Sequence, residues 1–278
     1  NARSVSEKAS LIIERKDFQR LLSQLTESGY RVVGPTVRED AIVYDEITSD
    51  KNLPVGWTDE QGGGKYRLKK VASEALFGYT ISPQSWKKFL FPSALRFWRA
   101  RRQGNGFSVL SEDQEVPRWA FLGVRACELE AIAIQDKVLM SGPYPDLTYK
   151  KRREQIFIIV VNCGRGGETC FCASMNTGPK AESGFDLALT EVLEDGRHYF
   201  VVETGSAKGL DLMGKIPHQN ANVTELGAAQ RVSQEAAGQM GRSMVAAENA
   251  KEILYQNYEH PRWAEIADRC LTCANCTM

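Results

Sequence analysis

The sequence predicts an α/β (α+β) fold with a βαβ parallel core, and three observations carry that prediction. Residues 119–124 and 156–161 are apolar runs, typical of strands that are buried on both faces inside a parallel sheet. Between them, residues 128–139 place apolar side chains near helical spacing and glutamates in the first turn, where they face the positive end of the helix dipole. Strand, helix and strand in this order form a βαβ unit with parallel strands.

Other elements are predicted along the chain. Asp17 is expected to cap a helix that runs to about Ser28 and stops at Gly29. Strands are predicted at 30–35, 41–45, 185–193 and 198–204, a loop at 60–64, and helices at 82–92, 210–216, 224–255 and 263–269. Residues 94–103 carry four arginines beside Phe97 and Trp98. A solvated helical face is the favoured interpretation, and a docking surface for an acidic partner is the alternative.

Composition excludes several classes of protein. The 278 residues contain 35 Lys plus Arg and 35 Asp plus Glu, so no net charge directs the chain to nucleic acid or to a membrane surface. No apolar run approaches the roughly twenty residues that span a bilayer, and the N-terminus has no signal-peptide pattern, so we expect a cytoplasmic protein. The seven cysteines are clustered, which favours metal ligands over disulfides in such a protein.

Four of the cysteines are predicted to meet at one edge of the sheet. Cys127 follows the first strand of the βαβ unit, Cys163 follows the second, and Cys170 and Cys172 lie in the glycine-rich turn beyond it. Parallel strands end on the same edge, where open α/β folds bind ligands. Four thiols suit an iron–sulfur cluster, for which we predict the [4Fe–4S] type, or zinc. A further alternative is that Cys127 is only a buried core residue.

Neighbouring residues add to this prediction. The helix dipole is expected to lower the pKa of Cys127. Arg125 and Arg165 flank the cysteines, where they either offset the charge of a cluster or are solvated at the surface. Three glycines at 164, 166 and 167 lack the Lys-Ser or Lys-Thr of a phosphate-binding loop, so we interpret them as residues that let the backbone approach a cluster.

The C-terminal cysteines form a second motif. Cys270, Cys273 and Cys276 have the C-x2-C-x2-C spacing that wraps three thiolates around one [4Fe–4S] cluster. Zinc sites favour paired C-x2-C units with a longer spacer, so a cluster is the favoured interpretation. The fourth ligand is expected beyond Met278, in a longer chain.

Groups for independent catalysis are not visible in the sequence. The three histidines stand apart from any candidate nucleophile, and no dinucleotide-binding fingerprint, Walker motif or catalytic triad is present. We therefore predict no catalytic residues and no turnover by the isolated chain.

These motifs together resemble a known family. The segments that carry the resemblance are KKFLFP at 87–92, GVRACELEAI at 123–132, VNC at 161–163, TCFCASM at 169–175, TGP at 177–179 and RCLTCANC at 269–276. They are similar to the iron–sulfur beta subunit of cytosolic [NiFe] hydrogenases (sulfhydrogenases), a family that includes the A subunit of anaerobic sulfite reductase. The resemblance extends from about residue 80 to the end, and the first eighty residues match loosely.

The resemblance implies two domains and a role in electron transfer. Residues 1–255 would form the α/β domain that holds the four-cysteine site, and residues 256–278 would begin a helical ferredoxin-like module of which only three cysteines are present. At least two [4Fe–4S] clusters are implied. The subunit would carry electrons between a flavin- and NAD(P)-binding subunit and a [NiFe] hydrogenase catalytic subunit. Service to a sulfite reductase, or a zinc-stabilised scaffold without redox activity, remains an alternative.

Overall fold

The structure, a computed structural model, describes residues 10–111, 116–244 and 247–272. Its strands in these ranges are β1 (Ser10–Glu14), β2 (Arg31–Arg38), β3 (Ala41–Glu46), β4 (Trp57–Gly62), β5 (Lys65–Lys70), β6 (Trp98–Gln103), β7 (Gly106–Ser111), β8 (Trp119–Val124), β9 (Phe157–Val161), β10 (Leu187–Glu194), β11 (Arg197–Thr204) and β12 (Gln219–Asn220). Its α-helices are α1 (Phe18–Glu27), α2 (Lys87–Leu90), α3 (Ala126–Met140), α4 (Leu147–Glu154), α5 (Ala207–Met213), α6 (Val223–Gly238), α7 (Ala250–Gln256) and α8 (Arg262–Asp268).

One mixed sheet organises the molecule. Eight strands follow the order β12-β1-β11-β10-β9-β8-β2-β3, while β4-β5 and β6-β7 form separate hairpins. The neighbours β2, β8, β9 and β10 run parallel to one another, and the flanking pairs are antiparallel. Because α3 and α4 connect the parallel strands β8 and β9, the predicted βαβ core is confirmed.

Both faces of the sheet are covered, which explains the apolar runs. All five residues of β9 are buried. Phe157, Ile159 and Val161 pack into the core that includes α1, whereas Ile158 and Val160 pack into the core on the other face, with α3 and α2. A strand with apolar side chains on both faces is stable only inside such a layered arrangement.

A bulge at the end of β8 positions the next residues. The pairing of β8 with β9 shifts register between Leu122 and Val124. Gly123 lies in this shift with φ of +91°, a conformation that side chains other than that of glycine rarely adopt. Bulges of this kind re-aim the residues that follow them, here Arg125 and the start of α3.

Several predicted elements differ in the structure. Residues 94–103 do not form a helical face, because Trp98–Gln103 pairs with β7 through a turn at Gly104, and every side chain of β6 is exposed. The loop predicted at 60–64 instead contains the end of β4 and the turn to β5, with Gly64 at φ of +71°. The helix predicted at 82–92 shrinks to Lys87–Leu90.

Helix boundaries differ as well. The predicted helix at 224–255 is two helices, α6 and α7, because the chain leaves α6 after Gly238 to contact residues 164–172, which we call the cysteine loop. Asp17 does precede α1, but its side chain makes no capping hydrogen bond. Among the described residues, no helix is long and apolar enough to cross a membrane.

Candidate metal centre

The four cysteines of the predicted quartet lie at the carboxyl ends of two adjacent parallel strands. Cys127 is the second residue of α3, which one residue, Arg125, separates from β8, and Cys163 lies two residues beyond β9. Cys170 lies in the loop that follows, and Cys172 begins a 3-10 turn at its end. Cys163 is buried, and the other three side chains are partly buried. We call these four residues the cysteine site.

The thiols of the cysteine site interact with one another. Cys127 and Cys172 lie close enough for each to change the pKa of the other. The charge of Cys163 acts on Cys127, and the charges of Cys170 and Cys172 act on Cys163. The structure therefore brings together all four cysteines that the sequence placed at this edge.

Proton affinities in the site differ from the sequence expectation. The pKa of Cys127 is raised rather than lowered, because the neighbouring Cys172 and burial both disfavour its thiolate. The pKa of Cys172 is lowered, because the Cys127 thiol and the backbone amides of Cys172 and Ala173 stabilise its thiolate more than burial destabilises it. Among the four thiols of the cysteine site, Cys172 is therefore the one whose pKa is lowered.

The other two thiols have raised pKa values. Burial raises the pKa of Cys163 to about 11, although the Arg125 charge acts in the opposite direction. Burial also raises the pKa of Cys170, against a backbone hydrogen bond from Gly167. A metal centre that binds these thiols would displace their protons, because the thiolate is the ligand.

Arg125 is buried, which rules out surface solvation, one of the two roles that the sequence left open for it. Its side chain is 1% exposed, and its guanidinium donates to four carbonyl oxygens, those of Phe77, Tyr79, Thr80 and Val161. It also lies 4.5 Å from the centroid of the Tyr79 ring, a cation–π contact. Arg165, in contrast, is exposed and donates to the Thr58 hydroxyl.

Glu128 closes the start of α3. Its Oε2 accepts the Arg125 backbone amide at 2.9 Å as part of a capping box, and its Oε1 accepts the Tyr44 hydroxyl at 2.6 Å. Burial raises the pKa of this carboxyl even though both hydrogen bonds favour its charged form. Glu128 therefore lies in the first turn of α3, as predicted, and also links α3 to β3 through Tyr44.

Asn162 is a residue of the site that sequence reasoning missed. Its buried side chain accepts the Ala181 amide at 3.0 Å and donates to the Thr190 hydroxyl at 2.9 Å. The Cys163 amide also donates to the Pro179 carbonyl at 3.2 Å. These bonds hold the 178–181 loop against the cysteines. The only signal in the sequence was one polar residue between an apolar strand and a cysteine.

A segment after α6 covers the cysteine loop, and sequence reasoning had assigned it to a helix. We call residues 240–244 the covering segment. The Gly241 amide donates to the Gly167 carbonyl at 3.1 Å, and the Arg242 amide donates to the Cys170 carbonyl at 3.2 Å. The sulfur of Met240 lies 3.8 Å from that of Cys172. The covering segment, which the sequence predicted to be helical, therefore packs against the Cys172 thiol.

Glycines in these loops allow close packing. A Cβ on Gly178 would lie 3.0 Å from the Cys172 sulfur, and one on Gly167 would lie 3.5 Å from the Cys170 sulfur. Gly166 has a different reason to be glycine, because its Cβ would lie 2.3 Å from the Ala236 carbonyl oxygen at the end of α6. The backbone of these loops therefore packs closely against two partners, the cysteine thiols and the end of α6.

The donor chemistry of the site fits a soft metal centre. Four thiols converge, backbone amides reach Cys172, and a buried cation stands beside them, which are features that favour an anionic thiolate centre. Within the described ranges, no group of three or more His, Cys, Asp or Glu side chains has the spacing to hold a single metal ion. One zinc ion would need its sulfurs about 2.3 Å from one point.

The second cysteine motif is described only at its first member. Cys270 is exposed, just beyond α8, and its sulfur accepts the Thr272 amide at 3.4 Å. Cys273 and Cys276 lie outside the described residues. The ligand set predicted for this motif stays a prediction.

One comparison with known proteins identifies a relative. The chain is 29% identical over 262 residues to the sulfhydrogenase 2 subunit beta of Pyrococcus furiosus, a match that covers 94% of this chain and 68% of that protein. This similarity supports membership of the hydrogenase beta subunit family. No protein-family model matches the chain.

The family resemblance drawn from the cysteine motifs is thereby confirmed. Because the match to the hydrogenase beta subunit covers 94% of the chain, it also reaches into the first eighty residues, where the motifs had given only a loose likeness. In the structure, these residues supply α1 and the strands β1 to β3 of the main sheet.

Proposed function

We propose that this chain is an electron-transfer iron–sulfur subunit of a multisubunit oxidoreductase of the hydrogenase type. The similarity to a sulfhydrogenase beta subunit supports the class of complex. The observation that supports the electron-transfer role is the position of Cys127, Cys163, Cys170 and Cys172 at one sheet edge, where their charges act on one another.

In this proposal the cysteine site holds a [4Fe–4S] cluster, which supplies a one-electron carrier when bound. The four cysteines would bind it as thiolates. The covering segment and the 178–181 loop limit water at Cys172, because they pack against the loop that carries it. A cluster binds each cysteine through a different iron, so its ligands need not crowd around one point as those of zinc do.

Further assignments belong to the same proposal. Cys270, Cys273 and Cys276 would hold a second [4Fe–4S] cluster together with one ligand from outside this sequence. Electrons would pass between a flavin- and NAD(P)-binding subunit and a [NiFe] hydrogenase catalytic subunit in the cytoplasm. The chain itself would have no turnover.

The test is metal analysis of the complex isolated without oxygen. We expect iron and acid-labile sulfide in the beta subunit, a brown colour, and an EPR signal after reduction with dithionite. The subunits that co-purify with it should include a flavoprotein and a [NiFe] protein. Zinc without iron would refute the electron-transfer role, and a sulfite-reducing partner would reassign the complex.

A further inference from the structure

The guanidinium of Arg125 lies among the backbone segments that deliver the cysteines. The residue itself precedes Cys127 by two positions. Its Nη1 donates at 3.2 Å to the carbonyl of Val161, two residues before Cys163. The positive charge is therefore fixed at the carboxyl ends of β8 and β9, next to the segments that carry Cys127 and Cys163.

A third segment ties this charge to the loop of Cys170. The Nε of Arg125 donates to the Thr80 carbonyl at 3.1 Å. The side chain of Thr80 packs on that loop, because a Cβ on Gly167 would lie 3.0 Å from its Cγ2 atom. The guanidinium is thus held by the same framework that positions the cysteine site.

The hydrogen bonds of this cation pair its full charge with partial charges. All four end on carbonyl oxygens, which carry only partial negative charge. The buried carboxylate of Glu128 acts on Arg125 through its charge, but its oxygens accept the Tyr44 hydroxyl and the Arg125 backbone amide. Burial of a charge is costly unless an opposite charge pairs with it, so the arrangement suits an anionic centre at the thiols.

We propose that Arg125 is the fixed counter-charge of the cluster in the cysteine site and that it raises the reduction potential of that cluster. The inference rests on the proposed function, since it needs the cluster. A cluster bound by four thiolates is anionic and gains one more negative charge when it accepts one electron from a donor, with no proton transfer. A nearby fixed cation stabilises the reduced form more than the oxidised form. Arg125 does not bind the cluster; it acts on the reduction potential of the cluster through its charge.

The test is the midpoint potential of Arg125→Gln. The full chain is reconstituted with iron and sulfide, titrated with dithionite and followed by EPR. We expect a more negative midpoint potential than in the parent, because the reduced cluster loses its counter-charge. The matched control is Arg165→Gln, which removes an exposed arginine two residues from Cys163; solvent screens that charge, so the potential should stay near the parent value. A potential in Arg125→Gln equal to that of the control would overturn the inference.

A second variant covers the case in which the neutral side chain does not fold. Arg125→Lys keeps the charge but loses the forked hydrogen bonds. If charge is what the site uses, this variant retains its iron and a potential near that of the parent. Loss of iron, or a marked shift of the potential, would assign Arg125 a purely structural role. Absence of iron from the cysteine site of the parent protein would refute the proposed function itself, which is a distinguishable failure.

Discussion

Arg197 shows how single residues stabilise the frame around the cysteine site. At the start of β11, its guanidinium bonds Glu14 of β1 and donates to Glu225 of α6 at 2.6 Å. Glu225 also accepts the Asn222 amide at 2.9 Å in the capping box of α6. Because α6 leads directly into the covering segment, this ion pair helps to fix the position of that segment over the cysteine loop.

Glu225 predicts a pH-dependent contribution to stability. Burial opposes its ionisation, but the Asn222 amide and Arg197 outweigh burial, so its pKa is lowered from 4.5. A lowered pKa means that the charge stabilises the fold fully above pH 4.5 and that this contribution is lost as the pH falls through the folded pKa. Glu225→Gln keeps a capping-box residue and should cost about 1 kcal/mol at pH 7, a value reduced by the partial exposure of Arg197.

Urea unfolding of the parent and of Glu225→Gln between pH 7 and pH 3 measures this contribution. The difference in unfolding free energy should shrink as the pH falls below 4.5. Glu194→Gln is the control, because its pair with Arg231 joins the same hairpin and helix but is exposed, and its effect should be near zero. A difference that does not change with pH would contradict the assigned role.

At the scale of elements, the break between α6 and α7 decides how the cysteine loop is covered. Residues 224–255 contain no proline and few strong breakers, so local propensity favours one helix. The helix ends because the covering segment gains hydrogen bonds to Gly167 and Cys170, which are distant in sequence. The β6–β7 hairpin is a different case, because its strands are adjacent in the sequence and pair across the turn at Gly104.

Gly241→Ala tests the covering segment. A Cβ at this position would lie 2.5 Å from the Glu168 carbonyl oxygen and 2.6 Å from its Cα. Since these are backbone atoms, the segment must move, at a cost of about 1–3 kcal/mol. The metal-free variant should unfold at lower urea concentration, and its Cys172 should react faster with an alkylating reagent.

The matched control is Gly238→Ala, three residues earlier. A Cβ there meets no atom within 4 Å, and alanine favours a helix over glycine by up to about 1 kcal/mol. This variant should be as stable as the parent or more stable, with unchanged alkylation of Cys172. Equal behaviour of the two variants would show that the covering segment does not shield the site.

At the scale of the whole molecule, parallel strand order explains why the site could be predicted. Two buried strands joined by a helix end on one edge, so the positions of Cys127 and Cys163 followed from local patterns. The strand order did not, because β1 pairs with β11, nearly 190 residues later in the chain, and no local signal records such a pairing. The burial of Arg125 was missed for a related reason, since its carbonyl partners come from segments 36 to 48 residues away.

The most direct test of the cysteine site is the iron content of Cys127→Ser. The variant and the parent are isolated without oxygen, and iron per chain and the EPR spectrum of the reduced protein are compared. Cys270→Ser serves as the matched variant in the other motif. We predict that Cys127→Ser loses about one cluster, or roughly four iron atoms per chain, and keeps the second EPR signal, while Cys270→Ser shows the reverse. Unchanged iron in Cys127→Ser would contradict the account, and Cys127 would then be a core residue that merely contacts Cys172.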